Sequence, residues 1–134
     1  MAKYSTTVVK RNDPKWPIED MKALYPLAVA ENPILRAGGT KALDYEYGPE
    51  AWCLKITDDQ GEVVGGCIFE FWDNHLDYCL TVHAAFIKPE HRHTGAAAAM
   101  WRTLRWYAMG CLWIHTYHYV GNNTYVTKYR EIKL

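Results

Sequence analysis

The chain has 134 residues, the length of one ordinary domain, and it is expected to fold as a single unit over residues 1–134. Hydrophobic residues make up 49% of it and charged residues 22%, which allows a packed core and excludes a disordered chain. Fifteen basic residues balance fifteen acidic ones, and this neutral balance argues against a nucleic-acid partner, since nucleic-acid binders normally carry a basic excess.

Segments that anchor or address a protein are not evident in the sequence. No run approaches the roughly 18–20 apolar residues of a membrane helix, and the N-terminus lacks the long apolar core of a signal peptide. We therefore expect a cytoplasmic protein with no membrane partner. The four cysteines stand singly in apolar segments and form no C-x-x-C pair, so we expect buried free thiols and no metal site.

The N-terminal third predicts a strand followed by a helix. Tyr4–Val9 is rich in β-branched residues and predicts the strand. After two prolines, apolar residues recur at helical spacing over residues 18–28, and Pro26 is expected to kink or split this helix. The polar and aromatic stretch Thr40–Glu50 is predicted to be a loop.

Three strands are predicted in the middle of the chain, joined by short polar turns. They span Trp52–Thr57, Val63–Trp72 and Tyr78–Ile87 and form an antiparallel meander. Gly65–Gly66, inside the second strand, predicts a β-bulge or a close approach of two backbones. The third strand is mostly apolar and is therefore expected to be central.

A long helix follows the third strand. The alanine-rich segment after Gly95 predicts this helix, which ends near Gly110. One face of it is expected to carry Ala97, Met100, Trp101, Leu104 and Ala108, with Arg102 and Arg105 facing away. Leu112–Val120 predicts a further strand, and Thr124–Leu134 predicts a short final helix or a tail. Because the long helix crosses over between two strands, those strands must run parallel. The expected fold is α/β, with a mixed, mostly antiparallel sheet, a central parallel pair and flanking helices.

The turn before the long helix has the properties of an anion-binding site. The first N–H groups of a helix lack intrahelical acceptors, and the helix dipole adds a partial positive charge there. Gly95 has no side chain to block an approaching phosphate, and Ala96 and Ala97 have only a methyl group. Arg92 adds a full positive charge at the mouth of this predicted anion site. The alternative is a helix start whose small residues serve packing alone.

The segment Ile87–Ala97 reads IKPEHRHTGAA and resembles the motif V-x-P-x-x-R/Q-x-x-G-x-G/A of the GNAT N-acetyltransferase family. Arg92, Gly95 and Ala97 fill its three diagnostic places, and the motif stands between a strand and a long helix, as it does in that family. The resemblance implies a GNAT-like domain whose turn amides hold the pyrophosphate of acetyl-CoA or coenzyme A. The cofactor-binding residues that it implies here are Ile87, Arg92, His93, Thr94, Gly95, Ala96 and Ala97.

A second, shorter match lies downstream. The family often has an asparagine after its fifth strand and a tyrosine seven residues later, and Asn122 and Tyr129 have this separation. The resemblance places Asn122 near the pantetheine or phosphate arm of the cofactor. It also makes Tyr129 the general acid that protonates the departing thiolate. The alternative is that Tyr129 packs the last helix on the sheet.

The resemblance leaves the general base less defined. Many family members place a glutamate on the fourth strand for this role, and Thr81 stands at about that place here. His83, two residues further on, faces the same side of the strand and is able to take a proton at neutral pH. The alternative is that His83 is a satisfied core or rim residue.

The end of the chain departs from the family pattern. The family usually continues after this tyrosine into two more strands, whereas Tyr129 is followed here by a short segment, so the C-terminal strands are expected to be truncated. The sheet edge left open is expected to favour a homo-oligomer or larger assembly. The resemblance implies transfer of an acetyl group from acetyl-CoA to an unidentified amine by direct attack. The alternative is a catalytically inactive structural protein on the same fold, such as a component of a phage virion.

Overall fold

The computed structural model describes residues 3–31, 51–74, 77–121 and 124–132. This part of the chain forms six strands, two α-helices and a 3-10 turn at Pro89–His91. The strands are β1 (Ser5–Lys10), β2 (Trp52–Thr57), β3 (Val63–Asn74), β4 (Asp77–Ile87), β5 (Trp113–Gly121) and β6 (Thr124–Glu131). The helices are α1 (Ile18–Glu31) and α2 (Ala96–Tyr107). The predicted loop at Thr40–Glu50 lies outside the described residues.

The strands form one sheet in the order β1-β2-β3-β4-β5-β6, which is also their order along the chain. Every neighbouring pair is antiparallel except β4 and β5, which run parallel. The crossover between these two strands contains α2, because parallel neighbours need a long connection. The predicted mixed, mostly antiparallel α/β sheet with a parallel pair is confirmed.

The main hydrophobic core lies between the sheet and α2. Alternate side chains of the central strands meet helix residues that recur at three- and four-residue spacing. The completely covered members of this core include Leu54, Phe69, Leu80 and Leu104. Burial of each such side chain contributes roughly 1.5–3 kcal/mol, so the packing holds α2 against the sheet.

The opposite face of the sheet is covered in part by α1 and the segment before it. A smaller apolar cluster here contains Trp16, Ile18, Met21, Cys53 and Ile68. Pro26 was expected to kink or split this helix. It does not split it, because α1 continues from Ile18 to Glu31. A proline removes only one backbone donor, so the hydrogen bonds on either side of it are able to hold one helix together.

The glycine pair in β3 marks a close approach of backbones, one of the two outcomes predicted there: Gly65 lies against β4 and Gly66 against β2. A Cβ atom added to Gly66 would lie 2.3 Å from the carbonyl oxygen of Leu54. This distance is far below van der Waals contact, so a side chain here would push the two strands apart. The close approach fixes the spacing of β2 and β3 beneath the core.

The pairing of β4 with its two neighbours changes at one residue. The register with β3 shifts between Ile68 and Phe69, and His83 is the extra residue that β4 carries there. The pairing with β5 extends as far as Val82 and Thr116, immediately before this residue. A β-bulge bends its strand and redirects the side chains that follow. His83 therefore marks the place where β4 leaves its register with both neighbours.

The C-terminal segment forms a strand, so the predicted helix or tail over Thr124–Leu134 is wrong. β6 pairs antiparallel with β5 from Thr124, opposite Gly121, to Glu131, opposite Trp113. The sequence TYVTKYRE is rich in β-branched and aromatic residues, which suit a pleated surface. In the sheet formed by the described strands, β6 is the edge strand beside β5.

The cysteines are buried and free, as predicted. Burial raises the pKa of Cys53 to about 12 and also raises those of Cys67 and Cys111, which disfavours thiolate chemistry. Within the ranges that the structure describes, no helix has the length and apolar character needed to cross a bilayer. The same ranges contain no group of three or more His, Cys, Asp or Glu side chains arranged to hold a metal ion.

Candidate active site

The turn between β4 and α2 follows a backbone path that suits glycine. Gly95 has a φ of 107° and His93 a φ of 62°, both in the left-handed region. The Ala99 amide donates to the Gly95 carbonyl in the first hydrogen bond of α2. The amides of residues 96–98 precede this bond and therefore have no acceptor within the helix. They lie at the end of α2 that carries the positive partial charge of the helix dipole.

An open groove of about 530 Å³ lies against this turn. Its lining comes from the end of α1, the end of β4, the turn and the start of α2. The lining includes five of the predicted cofactor-binding residues, namely Ile87, Arg92, His93, Gly95 and Ala97, together with Glu31. Alanine, isoleucine and methionine side chains make much of the wall apolar, whereas Arg92 and Glu31 bring opposite charges. The arrangement suits an elongated ligand that has an apolar stretch and an anionic group near the turn.

Three side chains connect the turn to β1. The Thr94 hydroxyl lies 2.5 Å from the His91 carbonyl, and it must be the donor because a carbonyl can only accept. The Tyr4 hydroxyl lies 2.6 Å from Thr94 Oγ1 and therefore donates to it. His91 Nδ1 lies 2.9 Å from the same Tyr4 oxygen, so this nitrogen carries a proton and donates. The directions of all three hydrogen bonds are thus fixed, and they tie the turn to the first strand.

Both terminal nitrogens of Arg92 bind one carboxylate within the groove. Its Nη1 donates to Glu31 Oε2 at 2.8 Å, and its Nη2 donates to the other oxygen of the same carboxylate. The hydrogen bonds from Arg92 lower the pKa of Glu31 below its ordinary value of 4.5. The predicted full positive charge at the mouth is therefore offset by a negative charge from α1.

A row of polar and aromatic side chains crosses the sheet on the face opposite α2. His83 Nε2 lies 3.2 Å from Glu70 Oε1, and Thr81 Oγ1 lies 3.3 Å from His115 Nδ1. The rings of His115 and Tyr129 stack, with centroids 4.3 Å apart and planes 7° from parallel. The strand register places Thr81 between Glu70 and His115. It also places Tyr129 opposite His115, so the row runs from β3 to β6.

Burial sets the protonation state of the two histidines in this row. It lowers the pKa of His83 below the ordinary value of 6.5, although the Glu70 carboxylate opposes the effect. Burial also lowers the pKa of His115, and the nearby His83 adds to this. Both imidazoles are therefore neutral at pH 7, and a neutral imidazole is able to accept a proton.

The predicted site residues thus fall into two groups in the structure. His83 and Tyr129 belong to the row on one face of the sheet, and Ile87, Arg92, His93, Gly95 and Ala97 line the groove. The other predicted cofactor residues of the turn have side chains directed elsewhere. The Thr94 hydroxyl contacts Tyr4, and the Ala96 methyl is completely buried. Asn122 lies outside the described residues.

The exposure of Ala97 corrects the predicted helix face. Ala97 was expected on the same helix face as Met100 and Leu104, which are buried, but it is exposed in the groove. The core side of the first turn is formed by Ala96 and Ala99 instead. Successive helix residues are about 100° apart, so this shift of one position moves Ala97 off the buried face and makes it accessible to a ligand.

Tyr4, Glu31 and Glu70 were not identified from the sequence. Each contacts a predicted site residue, but only across a long separation or between strands. Glu31 precedes Arg92 by 61 residues, and Tyr4 precedes Thr94 by 90. No local spacing signals such pairs. The strand meander brings Glu70 opposite Thr81, and this pairing was the one available signal for a carboxylate beside the predicted base.

Solved structures that share this fold are described as acyltransferases. A candidate acyl-CoA N-acyltransferase from Klebsiella pneumoniae superposes with a TM-score of 0.66 at 16% identity, over 97% of this chain and 98% of that chain. An aminoglycoside acetyltransferase from an uncultured soil metagenomic sample gives 0.64 at 16% identity, over 91% and 83%. AAC(6')-Iy, in complex with the bisubstrate analog CoA-S-monomethyl-acetylneamine, gives 0.63 at 13% identity, over 91% and 83%. At these identities the likeness establishes the fold.

The family follows from the sequence match. The model of the acetyltransferase (GNAT) family matches residues 19–124, which is most of the chain. The chain therefore belongs to the GNAT acetyltransferase family, as the motif at Ile87–Ala97 predicted. A search among curated proteins found no match.

Proposed function

We propose that this chain is an N-acetyltransferase that moves the acetyl group of acetyl-CoA to an amine. The observation that carries the proposal is the groove at the start of α2, where exposed Gly95 and Ala97 adjoin helix amides that have no intrahelical acceptor. Family membership supports it, as does the coenzyme A adduct in a protein of the same fold. In this proposal residues 1–134 form a single acyl-CoA-binding domain.

The diphosphate of acetyl-CoA is assigned to the turn and the first amides of α2. Backbone donors and a helix dipole suit this group because they recognise an anion without a protonation change. The residues assigned to the cofactor are Ile87, Arg92, His93, Thr94, Gly95, Ala96 and Ala97, with Asn122 near the pantetheine or phosphate arm. The apolar wall formed by Ile87 and Met100 suits the pantetheine chain.

His83 is assigned as the general base. The amine attacks the thioester carbonyl, a C–N bond forms, the C–S bond breaks, and the new ammonium loses a proton to the imidazole. The support for this role is the position of His83 at the bulge, its lowered pKa and its contact with Glu70. A base that is neutral at the working pH is able to take a proton directly or through one water molecule.

Tyr129 is assigned as the general acid that returns a proton to the departing thiolate. Its ring is held flat against His115, and both lie in the same row of side chains as His83. A phenol is a suitable donor to a thiolate and is reprotonated from solvent afterwards. Catalysis otherwise relies on positioning, since the thioester is already activated toward amines.

The proposal is tested by changing the charge of one exposed residue in the groove. Ala97→Glu places a carboxylate in the first turn of α2, where it favours the helix through the dipole but repels a diphosphate. We expect calorimetry to show coenzyme A binding to the wild type and at least about tenfold weaker binding to Ala97→Glu, equivalent to about 1.4 kcal/mol. Urea unfolding of the variant should show undiminished stability.

Ala97→Gln is the matched control, because it has the same shape as Ala97→Glu without the charge. Binding that falls equally in both variants would point to crowding, and binding unaffected by the carboxylate would place the diphosphate elsewhere. A wild type that binds neither coenzyme A nor acetyl-CoA contradicts the proposal outright. If that protein also has the mass of one fixed oligomer, the structural alternative is favoured.

A further inference from the structure

The Arg92 guanidinium meets a carboxylate inside the groove to which the diphosphate is assigned. Both of its terminal nitrogens donate to Glu31, one at 2.8 Å and the other to the second carboxylate oxygen. This fork-to-fork geometry is the one that arginine also uses toward a phosphate group. Glu31 therefore occupies the donors with which Arg92 would hold an anionic ligand.

The remaining contacts of Arg92 are compatible with either partner. Its Nε donates to the Ile87 carbonyl at 2.8 Å, and its guanidinium carbon lies 5.4 Å from the centre of the Phe86 ring. These contacts use Nε and the flat face of the guanidinium, so Nη1 and Nη2 point in the same direction whichever partner they bind. The Glu31 carboxylate and a phosphate are thus alternatives at one position.

The position of Glu31 makes this competition unfavourable for an anionic ligand. Glu31 is the last residue of α1, and it lines the groove, so its charge adds repulsion to the loss of Arg92 donors. The side chains of Arg92 and Glu31 are 36% and 45% exposed. Exposed ion pairs are weak because water and salt screen them, and exchange of the carboxylate for a phosphate is therefore accessible.

We infer that Glu31 is a specificity-determining residue that competes with the diphosphate for Arg92. It weakens the binding of ligands that carry a diphosphate and leaves ligands without one unaffected. This inference rests on the proposed function, because it assumes that coenzyme A binds in the groove. It predicts that removing a side chain which lines the site improves binding, the opposite of what loss of a direct ligand contact would do.

The test compares coenzyme A with pantetheine, which lacks the diphosphate. Calorimetry on Glu31→Gln should show about two- to fivefold tighter binding of coenzyme A, the range that an exposed ion pair allows, and unchanged binding of pantetheine. Glu19→Gln is the matched control, because Glu19 is an exposed carboxylate on the same helix that lies 3.9 Å from Lys22. It removes the same charge from α1 and should leave both affinities unchanged.

A double-mutant cycle with Arg92→Gln separates competition for the arginine from general repulsion. The gain from Glu31→Gln should be smaller when Arg92 is absent, because one of the two effects is then removed. Unchanged or weaker coenzyme A binding by Glu31→Gln, beside a wild type that binds, overturns the inference and leaves the proposed function standing. Absence of coenzyme A binding in the wild type and in every variant overturns both.

Discussion

At the scale of single residues, His83 is the position at which backbone geometry and side-chain chemistry coincide. It is the extra residue of the β4 bulge, next to the last residue pair that joins β4 to β5. Its imidazole contacts Glu70 from the neighbouring strand, while burial keeps it neutral at pH 7. If Nε2 carries the proton toward this carboxylate, Nδ1 is the nitrogen that accepts one. In the proposed mechanism, Glu70 would therefore act on the reaction through His83.

The contact between Glu70 and His83 gives a prediction that needs no acceptor substrate. We expect the imidazole of His83, followed by NMR against pH, to titrate below its ordinary value of 6.5, because burial lowers its pKa. Glu70→Gln should lower the midpoint further, since the carboxylate stabilises the charged ring. Glu62→Gln removes a carboxylate that instead contacts Lys88 and should leave the midpoint unchanged. A midpoint at or above 6.5 would contradict the dominance of burial, and a midpoint that Glu70→Gln does not move would contradict the role given to Glu70.

The sequence predicted the residues of the turn but missed their partners. Arg92, Gly95 and Ala97 follow one another at fixed spacing, because a single turn and helix start determine their geometry. Glu31 and Glu70 act through pairs that form only when distant segments fold together, so no local pattern contains them. The bulge at His83 is likewise hidden, since an extra residue in β4 is defined only by its register with β3.

At the scale of elements, the turn of the candidate site is held from the N-terminal end of the chain. Tyr4 precedes β1, and its hydroxyl links His91 and Thr94 on either side of Arg92. The β1–β2 pairing and the packing of α2 against the sheet hold the strand on which this link depends. The hydrogen bonds thus fix the backbone from which Arg92 and Gly95 enter the groove.

Loss of the Tyr4 hydroxyl should therefore affect both stability and ligand binding. Tyr4→Phe removes two hydrogen bonds and keeps the ring, so we expect a loss of about 1–2 kcal/mol in the free energy of unfolding. Coenzyme A affinity should fall about two- to tenfold as the turn loosens, equivalent to about 0.4–1.4 kcal/mol. Urea unfolding and calorimetry measure the two quantities. Tyr107→Phe is the control, because that ring packs against Trp52 and Phe69. An effect of similar size in both variants would mean that the hydroxyl link does not order the turn.

The strand β6 shows why an element can be missed from sequence. Its residues have the β-branched and aromatic character of a strand, but so short a segment also fits a helix or a tail by composition. Pairing along β5 decides between them, together with the stacking of Tyr129 on His115. Both are contacts between strands, so the register rather than local propensity places Tyr129 in the row with His83.

At the scale of the whole molecule, the two faces of the sheet have different tasks. The face toward α2 is apolar and holds Leu54, Phe69 and Leu80 in a continuous core. The opposite face buries groups that titrate, among them His83 and His115. A protein built in this way keeps its fold through one face and places buried titratable groups on the other. The cost is that neutral buried histidines resist protonation, so the stability of the fold becomes dependent on pH.

The direction of this dependence follows from the two lowered pKa values. Histidines titrate near 6.5 in the unfolded chain, whereas His83 and His115 titrate at a lower pH in the folded chain. At pH values between the folded-state and unfolded-state pKa, the unfolded chain binds more protons, so the free energy of unfolding rises with pH. The contribution is complete above about pH 6.5 and is lost as the pH falls toward the folded-state values. The lowered pKa of Glu31 affects the free energy of unfolding separately, at pH values below about 4.5, the ordinary pKa of this group.

Urea unfolding between pH 5.5 and 7.5 tests this directly. The wild type should be less stable at the lower pH, and His115→Gln should show a shallower dependence because one of the two histidines is gone. His93→Asn is the control: it removes an exposed histidine from the turn and keeps a residue type that tolerates the left-handed backbone there. Its slope should match that of the wild type. A slope of the opposite sign, or one that His115→Gln leaves unchanged, would show that these histidines are not held neutral by the fold.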